Sequence, residues 1–141
     1  MGYDKQLFNS THKKLLNWCL DNCVVFEGDS PTPTNWDYSQ NNWMVDEKGV
    51  LTGIIDFENT LWGLPFDSFG VILERYTYDK PLLRASFMDG YGLPENHETD
   101  VKMKILSAKI AFADVNAGYA QNNSRFFECG NRTLSRLIES V

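Results

Sequence analysis

The sequence predicts an α+β fold, predominantly helical, with one small antiparallel β-hairpin, in a single domain spanning residues 1–141. Three observations carry this. Apolar residues recur at spacings of three and four through most of the second half, the period of a helix with one buried face. A period of two appears only in two short runs, Asn42–Val45 and Val50–Asp56, on either side of Asp46-Glu47-Lys48-Gly49. A length of 141 residues, 43% of them hydrophobic and 13% aromatic, supports one packed core but not two.

Asp4 to about Asn22 reads as a helix, with Leu7, Leu15, Leu16, Trp18, Cys19 and Leu20 as its apolar positions. Val24-Val25-Phe26 is a short apolar run. Glu27-Gly28-Asp29-Ser30-Pro31-Thr32-Pro33-Thr34-Asn35, rich in Pro, Thr and Gly, cannot continue a helix and reads as a loop. The hairpin comes next, with Gly49 where its turn calls for a positive φ. Phe66 to Tyr78 and Lys80 to Tyr91 read as helices, the second ending at Gly90-Tyr91-Gly92-Leu93-Pro94. A longer helix runs from about Glu98 to Gln121, with Val101, Ile105, Ala108, Phe112, Val115 and Tyr119 as a core stripe. The last, about Ser124 to Glu139, offers Phe127, Leu134, Leu137 and Ile138 to the core.

Thirteen Lys and Arg against nineteen Asp and Glu give a net charge of -6, with no long basic run, which argues against nucleic-acid binding. The acidity suits a cationic small-molecule partner. No stretch approaches the ~20 apolar residues of a membrane span, and the first residues do not resemble an export signal, so a cytoplasmic chain is expected. Cys19 and Cys23, four apart on one helix face, read as small buried thiols rather than a bridge. With only His12 and His97 present, no zinc-type ligand set is available.

One constellation stands out. A hairpin brings the start of its first strand beside the end of its second, so Asn42 and Asp56 are expected at one rim, facing the loop that holds Asp29. Carboxylate and amide oxygens converging there suit Mg²⁺, and a further carboxylate can orient a hydroxyl nucleophile for phosphoryl transfer. Two bare carboxylates ~4 Å apart repel by roughly 4 kcal/mol at an effective dielectric near 20, which a divalent cation removes. Taken singly, the same residues have plainer uses: Asp29 in a turn, Asn42 at a strand start, Asp56 capping the next helix.

Gly28-Asp29, then Asn42-Trp43-Met44-Val45-Asp46, then Gly53-Ile54-Ile55-Asp56-Phe57-Glu58 resemble the active-site half of the aminoglycoside phosphotransferase family. Leu64-Pro65-Phe66 resembles its fungal branch, and Gly90-Tyr91-Gly92-Leu93-Pro94 a segment found between its later helices. The resemblance covers about Leu7 to Tyr119. It implies a protein-kinase-like C-terminal lobe and ATP- and Mg²⁺-dependent phosphorylation of a small-molecule hydroxyl, with Asp29 as the catalytic base and Asn42 and Asp56 as metal ligands.

Three departures bear on activity. Glu27 stands where the family has His, adding negative charge beside Asp29 and Asp56; that tends to raise a carboxylate pKa unless a metal or another cation compensates. Asp29 and Asn42 are 13 positions apart, against about five in the family pattern; Asn35 can be read as the loop Asn instead, without the strand that follows Asn42. The longer loop costs only about 0.8 kcal/mol in closure entropy, whereas a shift of about 1 Å in a catalytic group can cost about a hundredfold. Third, the 26 residues before Glu27 read as a helix with no Gly-rich phosphate loop, so the chain reads as the C-lobe without its nucleotide-binding lobe, and ATP binding is in doubt. A lobe without its companion is expected to expose apolar surface near Trp36, Trp43 and Trp62, covered by a homodimer or a partner chain. The alternative to a phosphotransferase is a catalytically inactive, truncated or pseudokinase-like remnant acting as a binding or regulatory domain.

Overall fold

Helix α1 (Ser10–Asn22) begins where a side chain takes over its free amides: Asn9 Oδ1 accepts from the backbone N–H of Thr11 (3.0 Å) and His12 (3.1 Å), and His12 Nδ1 accepts from Asn9 N–H. The computed structural model describes residues 7–37, 40–94 and 96–141, so residues 4–6 of the expected first helix lie outside the described part. After Asn22 the chain tightens into a 3₁₀ turn, Cys23–Phe26. That change of direction buries Cys19 but exposes Cys23, correcting the reading of both thiols as buried. Burial pushes the Cys19 thiol up to about 11.

The segment from Glu27 to Asn35 is not wholly loop. Strand β1 (Thr32–Asn35) pairs antiparallel with β4 (Thr60–Gly63), Asn35 opposite Thr60 and Thr32 opposite Gly63. The Pro- and Thr-rich composition masks this strand, since Pro33 is tolerated in a two-stranded ribbon, where every strand is an edge. The expected hairpin is present between β2 (Trp43–Val45) and β3 (Leu51–Ile54), with Trp43 opposite Ile54 and a bulge after Met44. Asp46 Oδ1 accepts from the N–H of Lys48 and Val50, both at 2.9 Å, and Gly49 adopts φ 78°, as its turn requires. Instead of one hairpin there are thus two small antiparallel sheets among the described residues.

The helix expected over Phe66–Tyr78 is reduced. Phe66 has φ 66°, a left-handed conformation costly for a bulky side chain, and α2 (Phe69–Val71) starts only after it. It passes into a π turn, Ile72–Tyr76, closed by Thr77 N–H to Ile72 O at 3.1 Å. Helix α3 (Pro81–Tyr91) ends with Gly92 at φ 75°, and α4 (His97–Ala120) is capped by Asn96, which accepts from Thr99 N–H at 2.8 Å. Helix α5 is Ser124–Ile138.

Helix α4 is the spine. The expected stripe is buried at Val101, Ala108 and Val115 but not at Tyr119, and Met103, Leu106, Ile110 and Asp114 are buried as well. It is buried on more than one side because α1 and α5 pack with it around Leu15, Val115 and Leu134, while α2 and the π turn pack around Phe69, Leu73 and Leu106. Helix α5 comes close enough that a Cβ at Gly130 would lie 2.7 Å from Ala111 O, and one at Gly118 would lie 2.4 Å from Phe127 N. Phe127, expected in the core, is partly exposed there.

The hairpin is bare on both faces: Met44, Val45, Leu51 and Ile54 are exposed, and in β4 Trp62 is 75% exposed. Trp36 is half-buried, with the Lys109 ammonium 4.6 Å from its ring centroid. Among the described residues no helix is long and apolar enough to cross a membrane.

Glu74, in the π turn and 1% exposed, is the most deeply buried charged residue among the described residues. Its carboxylate accepts from Arg136 at 2.7 Å on both oxygens, from Ser107 Oγ at 2.8 Å and from Thr133 Oγ1 at 3.1 Å. Removing one partner of a buried pair leaves an uncompensated charge and costs about 3–5 kcal/mol. Arg136→Met is therefore expected to lose about 3 kcal/mol or more in urea unfolding, and Arg136→Lys to lose less. An Arg136→Met protein as stable as the parent would show that the two hydroxyls and the Arg84 guanidinium, 4.0 Å from Glu74 Oε1, suffice.

Candidate functional site

Asp29 leaves the 3₁₀ turn through Gly28, which has φ 89°, and its own N–H bonds Phe26 O at 3.2 Å. Its side chain is engaged by a residue from far along the chain. Lys102 Nζ, on α4, lies 2.9 Å from Asp29 Oδ1 and 2.8 Å from Glu98 Oε1, with the Phe26 ring centroid at 5.7 Å. The Lys102 side chain is 8% exposed. Burial works against its ammonium, but the hydrogen bonds and charges of Glu98 and Asp29 outweigh it and hold its pKa above the ordinary value. Asp29 Oδ2 is buried with no hydrogen-bond partner.

Asn42 closes a 3₁₀ turn, Gln40–Asn42, at the foot of β2. Its carbonyl accepts from Ile55 N–H at 2.9 Å, extending the hairpin by one bond and bringing Asn42 beside the chain that enters Asp56. Asp56 has φ 65°, a turn-like conformation that Asp tolerates better than most residues. Asn35, at the end of β1, joins the same rim: its Nδ2 donates to Asp56 O at 3.4 Å and its Oδ1 accepts from Asp37 N–H at 3.0 Å. Asn42 and Asp56 thus share a rim, with Asn35 as a third neighbour, whereas the bonds of Asp29 tie it to α4.

The donor chemistry of this rim fits Mg²⁺. Among the described residues no group of three or more His, Cys, Asp or Glu is gathered for a metal, so the rim offers a carboxylate and carboxamides. Mg²⁺ accepts such a sparse set, because it keeps several waters and takes phosphate oxygens. Asn42 Nδ2 is buried without a partner, so turning its Oδ1 toward a cation breaks no bond at that nitrogen.

Lys102 is the residue that sequence reasoning missed. The charge beside Glu27 and Asp29 called for a compensating cation, but a lone Lys in an amphipathic helix resembles any solvated surface lysine. Its place three and four residues before the apolar Ile105 and Leu106, on the same side of the helix, was the one available signal.

A model of the phosphotransferase enzyme family matches residues 16–102, more than half of the chain. The chain belongs to that family. Its fold also resembles a solved structure, the GDP complex of wild-type aminoglycoside 2'-phosphotransferase-IIIa, with a TM-score of 0.67 and 16% identity. The match covers 96% of this chain and 46% of the other, so this family member spans less than half the length of that neighbour. At this identity the likeness is one of fold: a kinase-like, mostly helical lobe carrying small antiparallel sheets. No curated protein matches the sequence.

The Lys102 ion pair makes a pH prediction. A lysine whose folded pKa is raised stabilises the fold fully below its unfolded value, near 10.5, and loses that contribution as pH rises through the folded value. From about pH 9 upward, the parent should lose more unfolding free energy than Lys102→Met as the solution is made alkaline. Parallel curves for the two proteins would show that the pair adds nothing to stability.

Proposed function

We propose that the chain carries the acceptor and metal side of an ATP- and Mg²⁺-dependent phosphoryl transfer to a small-molecule hydroxyl. The observation that carries the reading is the shared rim of Asn42 and Asp56, joined through the Ile55–Asn42 backbone bond, in a chain of the phosphotransferase enzyme family. Asn42 and Asp56 are the metal ligands and Asp29 the base. Mg²⁺ held by Asn42 and Asp56 would supply charge neutralisation for the phosphate oxygens of an in-line displacement. Asp29 accepts the hydroxyl proton as the acceptor oxygen bonds to phosphorus and the bond from the γ-phosphorus to the leaving nucleoside diphosphate breaks. The neighbour's GDP complex and its name support a purine nucleotide as donor and an amino-sugar among the acceptors to be tried.

A second reading, a non-catalytic binding or regulatory domain, is favoured by the state of Asp29. Glu27, two residues before it, adds negative charge beside it and repels an anionic nucleotide. Phosphoryl transfer relies on positioning, and each misplaced group costs about a hundredfold. The 141-residue chain alone is therefore expected to transfer phosphate at a rate near background.

Two measurements separate the readings. Calorimetry or thermal shift with Mg²⁺ or Mn²⁺ should show weak binding, worth about 1.4 kcal/mol of stability at about ten times the Kd, and Asp56→Asn should abolish it. An equal response in both proteins sinks the metal assignment. Incubation with labelled ATP, Mg²⁺ and amino-sugar, choline-like and sugar acceptors tests turnover. Steady transfer that vanishes in Asp29→Asn makes the chain an enzyme in its own right, while weak metal binding without transfer supports the binding domain.

A further inference from the structure

Lys102 is costly where it stands. Its side chain is 8% exposed, and an apolar residue of similar length would fill the same space with no charge to desolvate. Of its two carboxylate partners, Glu98 is 64% exposed and one turn away on the same helix, so water can serve it equally well. Asp29 differs: it sits in a loop that leaves the 3₁₀ turn through Gly28, and Lys102 ties that loop to the central helix across 73 residues of sequence. The contact is one-sided, taking Oδ1 and leaving Oδ2 buried and without a donor. A buried acceptor left unsatisfied is unfavourable, so the site is better off once a hydroxyl donor reaches that oxygen.

We propose that Lys102 is the positioning residue of Asp29, holding the carboxylate by Oδ1 so that Oδ2 is the oxygen that takes the acceptor proton. This rests on the reading of Asp29 as the base. In the step, the acceptor O–H bond breaks and its proton goes to Oδ2. The acceptor oxygen bonds to the terminal phosphorus of a nucleoside triphosphate, and the electron pair of the broken phosphorus–oxygen bond leaves with the diphosphate. Lys102 keeps its proton throughout.

The test uses the full chain and needs no turnover. With ¹⁵N-labelled lysine, an ion-paired ammonium gives its own slowly exchanging NMR signal. The Lys102 signal is expected to persist in Glu98→Gln and disappear in Asp29→Asn. Carbodiimide-coupled amine labelling of Asp29, read by peptide mass, is expected to be slow in the parent and in Lys102→Arg. In Lys102→Met it should rise about tenfold, the effect of losing one charge-assisted hydrogen bond. A signal that survives Asp29→Asn and vanishes in Glu98→Gln assigns Lys102 to Glu98 and overturns the proposal, as does equal labelling in parent and Lys102→Met. Should Lys102→Met not fold, the signals of Asp29→Asn and Glu98→Gln decide. Absence of phosphoryl transfer removes the base from Asp29 without changing either readout, so the two failures are distinct.

Discussion

A carboxylate sealed from water, Glu74, governs how the helices meet. It lies in a π turn, and it is met by Ser107 from α4 and by Thr133 and Arg136 from α5. Its backbone carbonyl is also used, accepting from Arg132 at 3.0 Å. A buried charge tolerates few arrangements of its partners, so these bonds set the register of α4 against α5 more tightly than apolar contact alone. Arg75 adds to this from the same turn, pairing with buried Asp114 on α4 and stacking over Phe126 on α5.

That register has consequences on either side of Ser107 along α4. With the helix held in rotation and height, Lys102 reaches Asp29, and two turns further along Lys109 reaches Asp67 at 2.6 and 2.8 Å and covers Trp36. The two lysines tie the irregular segments on either side of the sheets to the helical body. The sheets have little core of their own: the hairpin is exposed on both faces, and β1 and β4 pair chiefly with each other. The candidate site is therefore built of short strands whose flanking loops are anchored by long-range charge pairs.

Backbone strain falls in the same region. Asp56 and Phe66, two of the three non-glycine residues with positive φ among the described residues, bracket the return strand β4. Phe66 is held in that conformation by rings on several sides, with Phe69 at 5.4 Å and Tyr91 at 5.6 Å between centroids. At Asp56 the left-handed turn lets the chain leave β3, pass the Asn35 amide and enter β4 within a few residues. Such conformations persist where surrounding contacts over-determine them.

The local chemistry of this protein was written in its sequence. Helical spacing marked α3, α4 and α5, and an Asp-to-Gly turn between two apolar runs marked the hairpin, with positive φ at Gly49. The placing of Asn42 beside Asp56 came from hairpin geometry, which depends only on near neighbours. Features that depended on partners far away along the chain were not legible. Strand β1 exists because β4 pairs with it, the helix from Phe66 shortens because the chain must turn around an aromatic cluster, and Cys23 is exposed because α1 stops one residue before it. Lys102 shows the difference most sharply. As a letter it is one of thirteen basic residues, and only the tertiary packing of α4 turns it inward to meet Asp29. Periodicity and turn chemistry are short-range properties that sequence encodes directly, whereas the choice of partner for a buried charge is made when the whole core closes around it.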